Sequence, residues 1–470
     1  MQAAKELYYC PGMCRYTSLF FTNPLFAIKL VLVTFQLHFT EGQNYLFVFI
    51  MEVSYNVRYQ KSSFSNKVLL DKEGEIIIYS KGFRLKGKGA GDKGELINFS
   101  EIKEFYHKED KIFFITFTKE KYVLLGSGTF YNQMLTDLYK ARNEFLIDAL
   151  FMRKGKLKAE FEGDFQRLSK FGRPINKGDA TLKLYGKSIV ICPRDQDCFS
   201  IQFDFVNFHE FDDMEYQLKV VMDDGVTILI SKLGDDYDIF MEKFNELMGG
   251  MYENLVNNFL KEAFPYFHAS VLLKLAYKMK GGKAVSQNDI LKIDKDLAQS
   301  INEFVCQDPR FRAKSDMLRE LTDEYGIYCG IAPDETVEGG YVKWAMFAVP
   351  EKNVVAFSIL PRWDQDSEEG DDASPHDTYF FKIIMEKGHP ADKVEDKIRE
   401  INQSLVTLEF AKDPCYKDKR ELKHSPYQYA IRKMPFLRIL RKSYVGKASS
   451  SDQKDWQKQV SVVFEKAALK

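Results

Sequence analysis

The sequence predicts an α+β protein with two related β-rich repeats in tandem, and three observations lead to this prediction. The chain has 470 residues, more than one hydrophobic core ordinarily holds, so two or three domains are expected. Aromatic residues make up 14 % of the chain, with 39 Phe and 25 Tyr, and their side chains suit the pleated surface of a sheet. In addition, a series of strand-like segments closed by an amphipathic helix occurs twice in the same order.

The first repeat is predicted over residues 67–152. Turn residues such as Glu73-Gly74 separate its strand-like segments, which are 67–71, 75–80, 83–86, 96–99, 112–118 and 122–125. Apolar residues then recur at helical spacing from Tyr131 to Met152, which predicts a long helix there.

The second repeat is predicted over residues 180–264. Its strand-like segments are 181–185, 188–191, 199–205, 216–222 and 226–231. A helix follows from about Tyr237, and its apolar positions again have helical spacing. Corresponding elements lie about 105 residues apart throughout, which indicates an internal repeat.

Residues 1–50 differ in composition from the rest. The run 16–37 is mostly apolar, with Lys29 as its only charge, and its length is close to that of a membrane span. Three interpretations remain open for residues 1–50: an upstream extension that is not part of the globular protein, a membrane anchor, or an ordered soluble extension. From Met51 onward the sequence has the mixed polar and apolar composition of a soluble protein.

The C-terminal half has a different pattern. Residues 265–330 are predicted to form a helical linker, in which Ser286 to Asp289 resembles a helix-capping sequence. Residues 331–470 are predicted to form a third, α+β domain. Its expected strands are 341–349, 354–360 and 378–385, and its expected helices are 394–410, a helix starting at Ser425-Pro426, one starting at Pro435, and 456–469.

Several antiparallel strands followed by one amphipathic helix make physical sense, because a strongly twisted sheet leaves one end of its core open and a helix can cover it. This order of elements resembles the pleckstrin-homology-like superfold, which includes the GRAM domains. The resemblance implies two β-barrels or sandwiches, each capped by a C-terminal helix, at residues 51–155 and 156–264. It also implies a binding function, chiefly for anionic lipids or proteins, and it restricts the function only loosely.

The first repeat contains a candidate site for an anionic ligand. Arg84, Lys86 and Lys88 alternate with Phe83, Leu85 and Gly87, so the three cations are expected on one side of a strand. Lys81 and Lys93 lie nearby in the sequence. The second repeat has no such basic pattern at Cys192 to Cys198. A solvated surface is the alternative interpretation of these five cations.

A second basic patch is predicted near the C-terminus, where cations are interspersed with apolar residues on an expected helix. Its cations are Arg432, Lys433, Arg438, Arg441 and Lys442. Such a helix could lie on an anionic surface, or it could pack its apolar face on the core while the cations reach the solvent.

Other motifs predict no catalytic centre, metal site or cofactor. The Gly-rich stretch from Gly87 to Gly94 lacks the Gly-Lys-Ser/Thr of a phosphate loop and is not followed by a helix, so a hairpin tip is expected. The cluster from His209 to Asp213 is expected to be an exposed turn. Seven scattered cysteines indicate free thiols rather than a disulfide framework, which favours a reducing cytoplasm.

The sequence therefore predicts a non-catalytic binding or scaffold protein in the cytoplasm, with a protein partner. The first alternative is a peripheral membrane protein that binds anionic lipids through the basic strand of the first repeat, and the second is an enzyme of unfamiliar type with an interdomain site. A net charge of −1 gives no reason to expect nucleic-acid binding.

Overall fold

The computed structural model describes residues 3–10, 14–23, 26–37, 44–89, 91–126, 128–306, 309–322, 326–333, 341–360, 377–383, 390–423 and 425–469. The chain divides into two compact units. The first unit contains residues 1–201 and 207–237, and the second contains residues 202–206 and 238–470. Helices and strands are both abundant, which confirms the α+β class.

The first sheet has ten strands, of which β4 is the longest and pairs on both of its edges. Residues 28–37 pair with residues 44–53 of β4, and residues 53–62 of β4 pair with β5. The strands are β1 (Ala3–Cys10), β2 (Cys14–Asn23), β3 (Phe26–Leu37), β4 (Asn44–Ser62), β5 (Val68–Tyr79), β6 (Gly82–Gly87), β7 (Glu95–Asn98), β8 (Ile102–Lys108), β9 (Lys111–Thr116) and β10 (Lys121–Leu125).

The core of the first repeat lies between these strands and helix α1 (Tyr131–Ala149). Alternate residues of the strands are buried, as in the pair Ile76 and Ile78, because successive side chains of a strand point to opposite faces. On α1, Leu138 is fully buried in the same core. Helix α1 therefore packs on the core that these strands form.

The second sheet has seven strands and the order β14-β13-β12-β11-β17-β16-β15. Helix α2 (Tyr237–Leu255) follows the last strand, and its Phe244 ring packs against the Phe203 ring at 5.6 Å between centroids. The strands are β11 (Leu157–Leu168), β12 (Pro174–Tyr185), β13 (Ser188–Pro193), β14 (Phe199–Gln202), β15 (Val206–Asp212), β16 (Gln217–Met222) and β17 (Thr227–Ser231).

The two repeats have the same strand order. In the first repeat the order is β7-β6-β5-β4-β10-β9-β8, which matches the second sheet strand for strand. The first helical residues, Tyr131 and Tyr237, lie 106 positions apart, as do the starts of β5 and β12. The internal repeat predicted from the sequence is therefore confirmed, although the sequence did not predict β4, β8, β11 or β15.

The second unit contains an antiparallel six-stranded sheet with the order β18-β19-β20-β21-β22-β23. Strand β20 is an almost continuous apolar run with both faces buried, which is typical of a sheet covered on both sides. The strands are β18 (Val285–Ser286), β19 (Ile327–Pro333), β20 (Tyr341–Val349), β21 (Val354–Leu360), β22 (Thr378–Lys382) and β23 (Tyr444–Ala448).

The helices of the second unit precede β18, join β18 to β19 and β22 to β23, and end the chain. After α2 they are α3 (Lys261–Ala263), α4 (Ala269–Lys278), α5 (Gln287–Leu291), α6 (Lys295–Val305), α7 (Pro309–Glu320), α8 (Pro390–Thr407), α9 (Asp413–Tyr416), α10 (Gln428–Lys433), α11 (Pro435–Ser443) and α12 (Gln453–Leu469).

One hydrophobic core joins these helices to the sheet. Leu272 of α4, Ile301 of α6, Phe380 of β22 and Trp456 of α12 belong to the same buried cluster. The core thus extends across residue 330, where the sequence predicted a helical linker to give way to a separate domain. The predicted capping at Ser286 is confirmed, because its Oγ accepts a hydrogen bond from the Asp289 N–H at 3.1 Å.

The start of α10 differs from the sequence prediction. A helix was expected from Ser425-Pro426, but α10 begins at Gln428 because Ser425 makes a turn instead, donating its hydroxyl proton to the Leu422 carbonyl at 2.9 Å. The helix predicted to start at Pro435 is confirmed.

The N-terminal fifty residues contribute strands. The apolar run 16–37, for which one interpretation was a membrane-spanning helix, lies in β2 and β3. Strand β4 continues through Met51, so the change in composition there does not coincide with an element boundary. Within the part of the chain that the structure describes, no helix has both the length and the apolar character needed to cross a membrane.

Candidate binding surfaces

The basic strand of the first repeat has the predicted alternation. Phe83 and Leu85 point into the core, whereas Arg84 and Lys86 are half-buried on the other face of β6. Lys88 follows at the start of the loop after β6. Lys81 in the turn before β6 and Lys93 in the loop before β7 are exposed.

Carboxylates on the neighbouring strand pair with this basic strand. Lys86 lies opposite Glu75 of β5, and the two side chains form an ion pair at 3.4 Å. Lys88 pairs with Glu73 at 2.8 Å, which lowers the pKa of that carboxyl. Two of the five candidate cations, Lys86 and Lys88, are therefore paired with carboxylates, and the surface carries mixed charge. The sequence contained this signal, since Glu73 and Glu75 alternate on β5 just as Lys86 and Lys88 do after them.

The loop after β6 is ordered by one carboxylate. Asp92 accepts hydrogen bonds from the backbone N–H of Gly94 at 2.9 Å and of Gly87 at 3.2 Å, and it pairs with Lys72 at 3.1 Å. The Gly94 N–H and the Lys72 ammonium hold the pKa of Asp92 below its usual range. Gly94 has a left-handed backbone with φ of 69°, which explains the glycine. In this loop the backbone N–H groups bind the Asp92 carboxylate, whereas those of a phosphate loop bind the phosphate of a ligand.

The C-terminal basic patch separates into exposed and structural cations. On α11, Arg438 and Lys442 are exposed, while Leu437 and Leu440 are fully buried. Arg441 differs, because its guanidinium donates to the backbone carbonyls of Pro414 and Lys417, both at 2.6 Å, and burial lowers its pKa. Arg441 thus holds the segment after α9 in place. Arg432 and Lys433 lie in the last turn of α10.

A buried polar joint connects the two repeats. Arg142 of α1 is completely buried and donates from Nε and Nη2 to the two carboxylate oxygens of Asp197, at 2.5 and 2.8 Å. The next residue, Asn143, donates to the carbonyls of Pro193 and Gln196, both at 3.2 Å. We call this set of contacts the inter-repeat joint, and it fixes the loop 193–198 of the second repeat on a helix of the first.

Cys198 belongs to the inter-repeat joint. Its backbone N–H donates to Asn143 Oδ1 at 2.8 Å, and its thiol donates to the Asn143 carbonyl at 3.6 Å. A hydrogen bond with Cys192 and burial raise the pKa of the Cys198 thiol well above its ordinary value. Both cysteines are free thiols, and the hydrogen bond between them places them close together on the two sides of the loop.

The hairpin of β15 and β16 presents exposed apolar side chains. Met214 is 90 % exposed, Tyr216 63 % and Phe208 49 %. The Tyr216 ring packs edge-on against the Tyr237 ring at 5.3 Å between centroids, and this contact supports its position. Asp212 forms the turn by accepting hydrogen bonds from the N–H groups of Met214 and Glu215 at 3.0 and 3.1 Å. We call the residues 207–217 the acidic hairpin.

Carboxylates dominate this part of the second repeat. Residues 206–237 contain eight Asp and Glu against two Lys, whereas the equivalent residues 102–131 of the first repeat contain four against five Lys. The sequence predicted an exposed turn over His209 to Asp213, but His209 to Asp212 lie in strand β15 and only Asp213 lies in the turn that follows. The sequence did not indicate the exposed apolar side chains of this hairpin as a surface. Among the described residues, no group of three or more His, Cys, Asp and Glu could hold a metal ion.

No protein-family model matches this chain, and no curated protein is significantly similar to it in sequence.

Proposed function

We propose that the protein is a non-catalytic binding or scaffold protein, and that it binds a basic, partly apolar segment of a protein partner on the acidic hairpin. The exposed apolar side chains of this hairpin carry the proposal. Single exposed apolar residues are common on protein surfaces. Three on one hairpin, one of them the Tyr216 ring that packs against Tyr237, form a surface suited to a partner. The surrounding carboxylates favour a partner with Lys or Arg, since opposite charges steer and orient association.

The first repeat supports this proposal as an internal comparison. The corresponding hairpin of β8 and β9 has balanced charges, and its Tyr106 ring stacks on Phe113 at 5.1 Å. Tyr106 is 40 % exposed, less than Met214 or Tyr216. The two repeats therefore differ in the charge of this hairpin and in the exposure of its apolar side chains, both of which are greater in the second repeat.

A pleckstrin-homology-like architecture is part of the proposal. Support comes from the strand order common to both repeats and from a 19-residue helix after the last strand of each. The inter-repeat joint supports a scaffold, because it fixes the loop 193–198 of the second repeat on helix α1 of the first and so holds the two sheets in a fixed relation. Free thiols at Cys192, Cys198, Cys306, Cys329 and Cys415 support a cytoplasmic location.

Photo-crosslinking in the source cells tests the protein partner. A photoreactive amino acid at position 214 should give a discrete covalent adduct, and Glu215→Lys in the same chain should abolish it by reversing the local charge. Position 64 is the matched control, because Phe64 is also exposed, at 76 %, but lies on a different hairpin. The same adducts at both positions, or an adduct insensitive to Glu215→Lys, would contradict the proposal.

Flotation with vesicles tests the membrane alternative. Phosphatidylserine vesicles should not carry the protein to the top of a density gradient, because Glu73 and Glu75 neutralise much of the basic strand. Flotation that is lost in the triple variant Arg84→Ala, Lys86→Ala, Lys88→Ala would instead establish lipid binding by the first repeat. Flotation lost on replacing Arg438 and Lys442 would assign it to α11.

A further inference from the structure

A cleft of about 590 Å³ lies in the second unit, between residues 263–267, α6 and α7. One wall is aromatic, because Phe264 is buried and its ring packs edge-on against Phe304 at 5.3 Å between centroids. Tyr266, which is 97 % exposed, also lines the cleft. The cleft thus offers apolar area to a small molecule, with an open approach.

Two arginines of α7 line the opposite wall. Arg312 and Arg319 are seven residues apart, so they lie on the same face of the helix, two turns from each other. Arg319 donates from Nη2 to Asn302 Oδ1 and, at 3.3 Å, to Cys306 Sγ. Arg312 Nε donates to the Cys306 carbonyl at 3.3 Å. These bonds fix both guanidinium groups in the cleft.

One donor of Arg319 has no acceptor in the protein. Its Nε is buried, and among the residues that the structure describes none accepts a hydrogen bond from it. Buried donors in folded proteins are nearly always paired, so an unpaired one calls for a partner from outside the chain. The Nε edge of a guanidinium is one of the two edges that bind a carboxylate.

The other charged groups of the cleft lie towards the solvent. Glu303 and Asp316 line it and are exposed, and Glu303 is engaged by Gln299 at 2.9 Å. Arg312 is exposed as well, whereas Arg319 is half-buried. The charge nearest the interior is therefore positive, and the mixed charges at the mouth balance one another.

We propose that this cleft binds a small organic acid whose carboxylate pairs with the guanidinium of Arg319, with Arg312 as the second cation. Because Arg319 Nε is closed to solvent in the free protein, the Arg319 side chain shifts on binding to present this donor to the ligand. The apolar part of the ligand packs on Phe264 and Phe304. The site is independent of the function proposed for the acidic hairpin, which belongs to the other unit.

Calorimetric titration of the full-length protein with phenylacetate tests the proposal. Phenylacetate should bind saturably, and phenylacetamide, which has the same shape but no charge, should bind at least tenfold more weakly. Arg319→Gln should weaken phenylacetate binding by about tenfold or more, because hydrogen bonds between charged groups are the strong ones. Arg399→Gln is the control, since Arg399 is exposed on α8 and pairs with Asp396 at 3.2 Å.

A second variant guards against a folding defect of Arg319→Gln. Arg312→Gln replaces an exposed residue and should weaken phenylacetate binding several-fold with an unchanged melting temperature. Three results would overturn the proposal: no saturable binding of phenylacetate by the wild type, equal binding by the wild type and both variants, or tighter binding of phenylacetamide. Preferential binding of phenyl phosphate would overturn the assignment of the head group as a carboxylate.

Discussion

The inter-repeat joint should respond differently to the loss of one partner and of both. Asp197→Ala leaves the buried guanidinium of Arg142 without its carboxylate. Breaking a buried pair in this way typically costs about 3–5 kcal/mol, and because the Asp197 side chain is 34 % exposed we expect a loss at the lower end of this range. The double variant Arg142→Met, Asp197→Ala removes both charges and fills much of the volume with apolar atoms. Replacing a buried pair by apolar side chains is often close to neutral, so the double variant should be more stable than Asp197→Ala.

Hydrogen exchange at the Cys198 amide is the most direct measurement, since this N–H donates to Asn143 Oδ1 within the joint. A loss of about 3 kcal/mol in Asp197→Ala should speed exchange by roughly a hundredfold, because about 1.4 kcal/mol corresponds to a factor of ten. The double variant should recover a large part of that protection.

An exposed ion pair in the same repeat provides the control. Arg194 and Glu162 pair at 3.4 Å with both side chains 61 % exposed, so Arg194→Met should cost less than about 1 kcal/mol. Equal exchange rates in Asp197→Ala and the double variant would refute the reasoning that the uncompensated buried charge causes the loss. A loss in Arg194→Met as large as that in Asp197→Ala would refute the role assigned to burial.

Three further predictions concern other parts of the chain. Asn402→Ala should lower the melting temperature, because it leaves the buried N–H and C=O of Ala284 unpaired at a cost of about 1–3 kcal/mol for each group, and an unchanged melting curve would contradict this. The lowered pKa of Asp92 means that its pairing with Lys72 stabilises the loop above about pH 4 and is lost as the pH falls through the lowered pKa. The protection factors of the amides in residues 87–89 and 91–94, which correct for the intrinsic slowing of exchange in acid, should therefore fall there, whereas Asp92→Asn should show low protection factors throughout. A chain beginning at Met51 should remain soluble with a similar melting temperature, because residues 53–62 of β4 make all of its pairs with β5 and β10, and a loss of several degrees would show a structural role for residues 1–50.

The repeat was predictable because local pattern and global fold agree in it. In the predicted strands of both repeats apolar and polar residues alternate, and the closing helices have a clear apolar face. The order of the elements can therefore be predicted from the sequence. The first strand of each repeat was missed for a physical reason. Strand β11 alternates charged and apolar residues, as in Glu160, Phe161 and Glu162, but small and polar residues at Gly163 and Asp164 interrupt the pattern. Hydrogen bonds with β12 and β17 stabilise β11, and the sequence of the segment itself does not show these partners.

The site residues were harder to predict than the fold. The alternation of Arg84 and Lys86 is visible in the sequence, but whether they are available depends on Glu75, which an antiparallel register places opposite Lys86. Arg441 and Arg438 look alike in sequence, yet only the folded chain puts two backbone carbonyls within reach of Arg441. Pairing across strands and turns is long-range information that composition does not contain.

The positions at which the repeats agree and differ also bear on function. Ile112, Phe114, Tyr122 and Leu124 of the first repeat are buried, and the positions 106 residues later are Leu218, Val220, Ile228 and Ile230, all buried and apolar. The fold therefore requires apolar side chains there, and both copies have them. Exposed positions carry no such requirement, so the accumulation of carboxylates around Met214 and Tyr216 does not follow from folding. Exposing apolar side chains to water and placing like charges close together are both unfavourable, and a basic, apolar partner would relieve both at once.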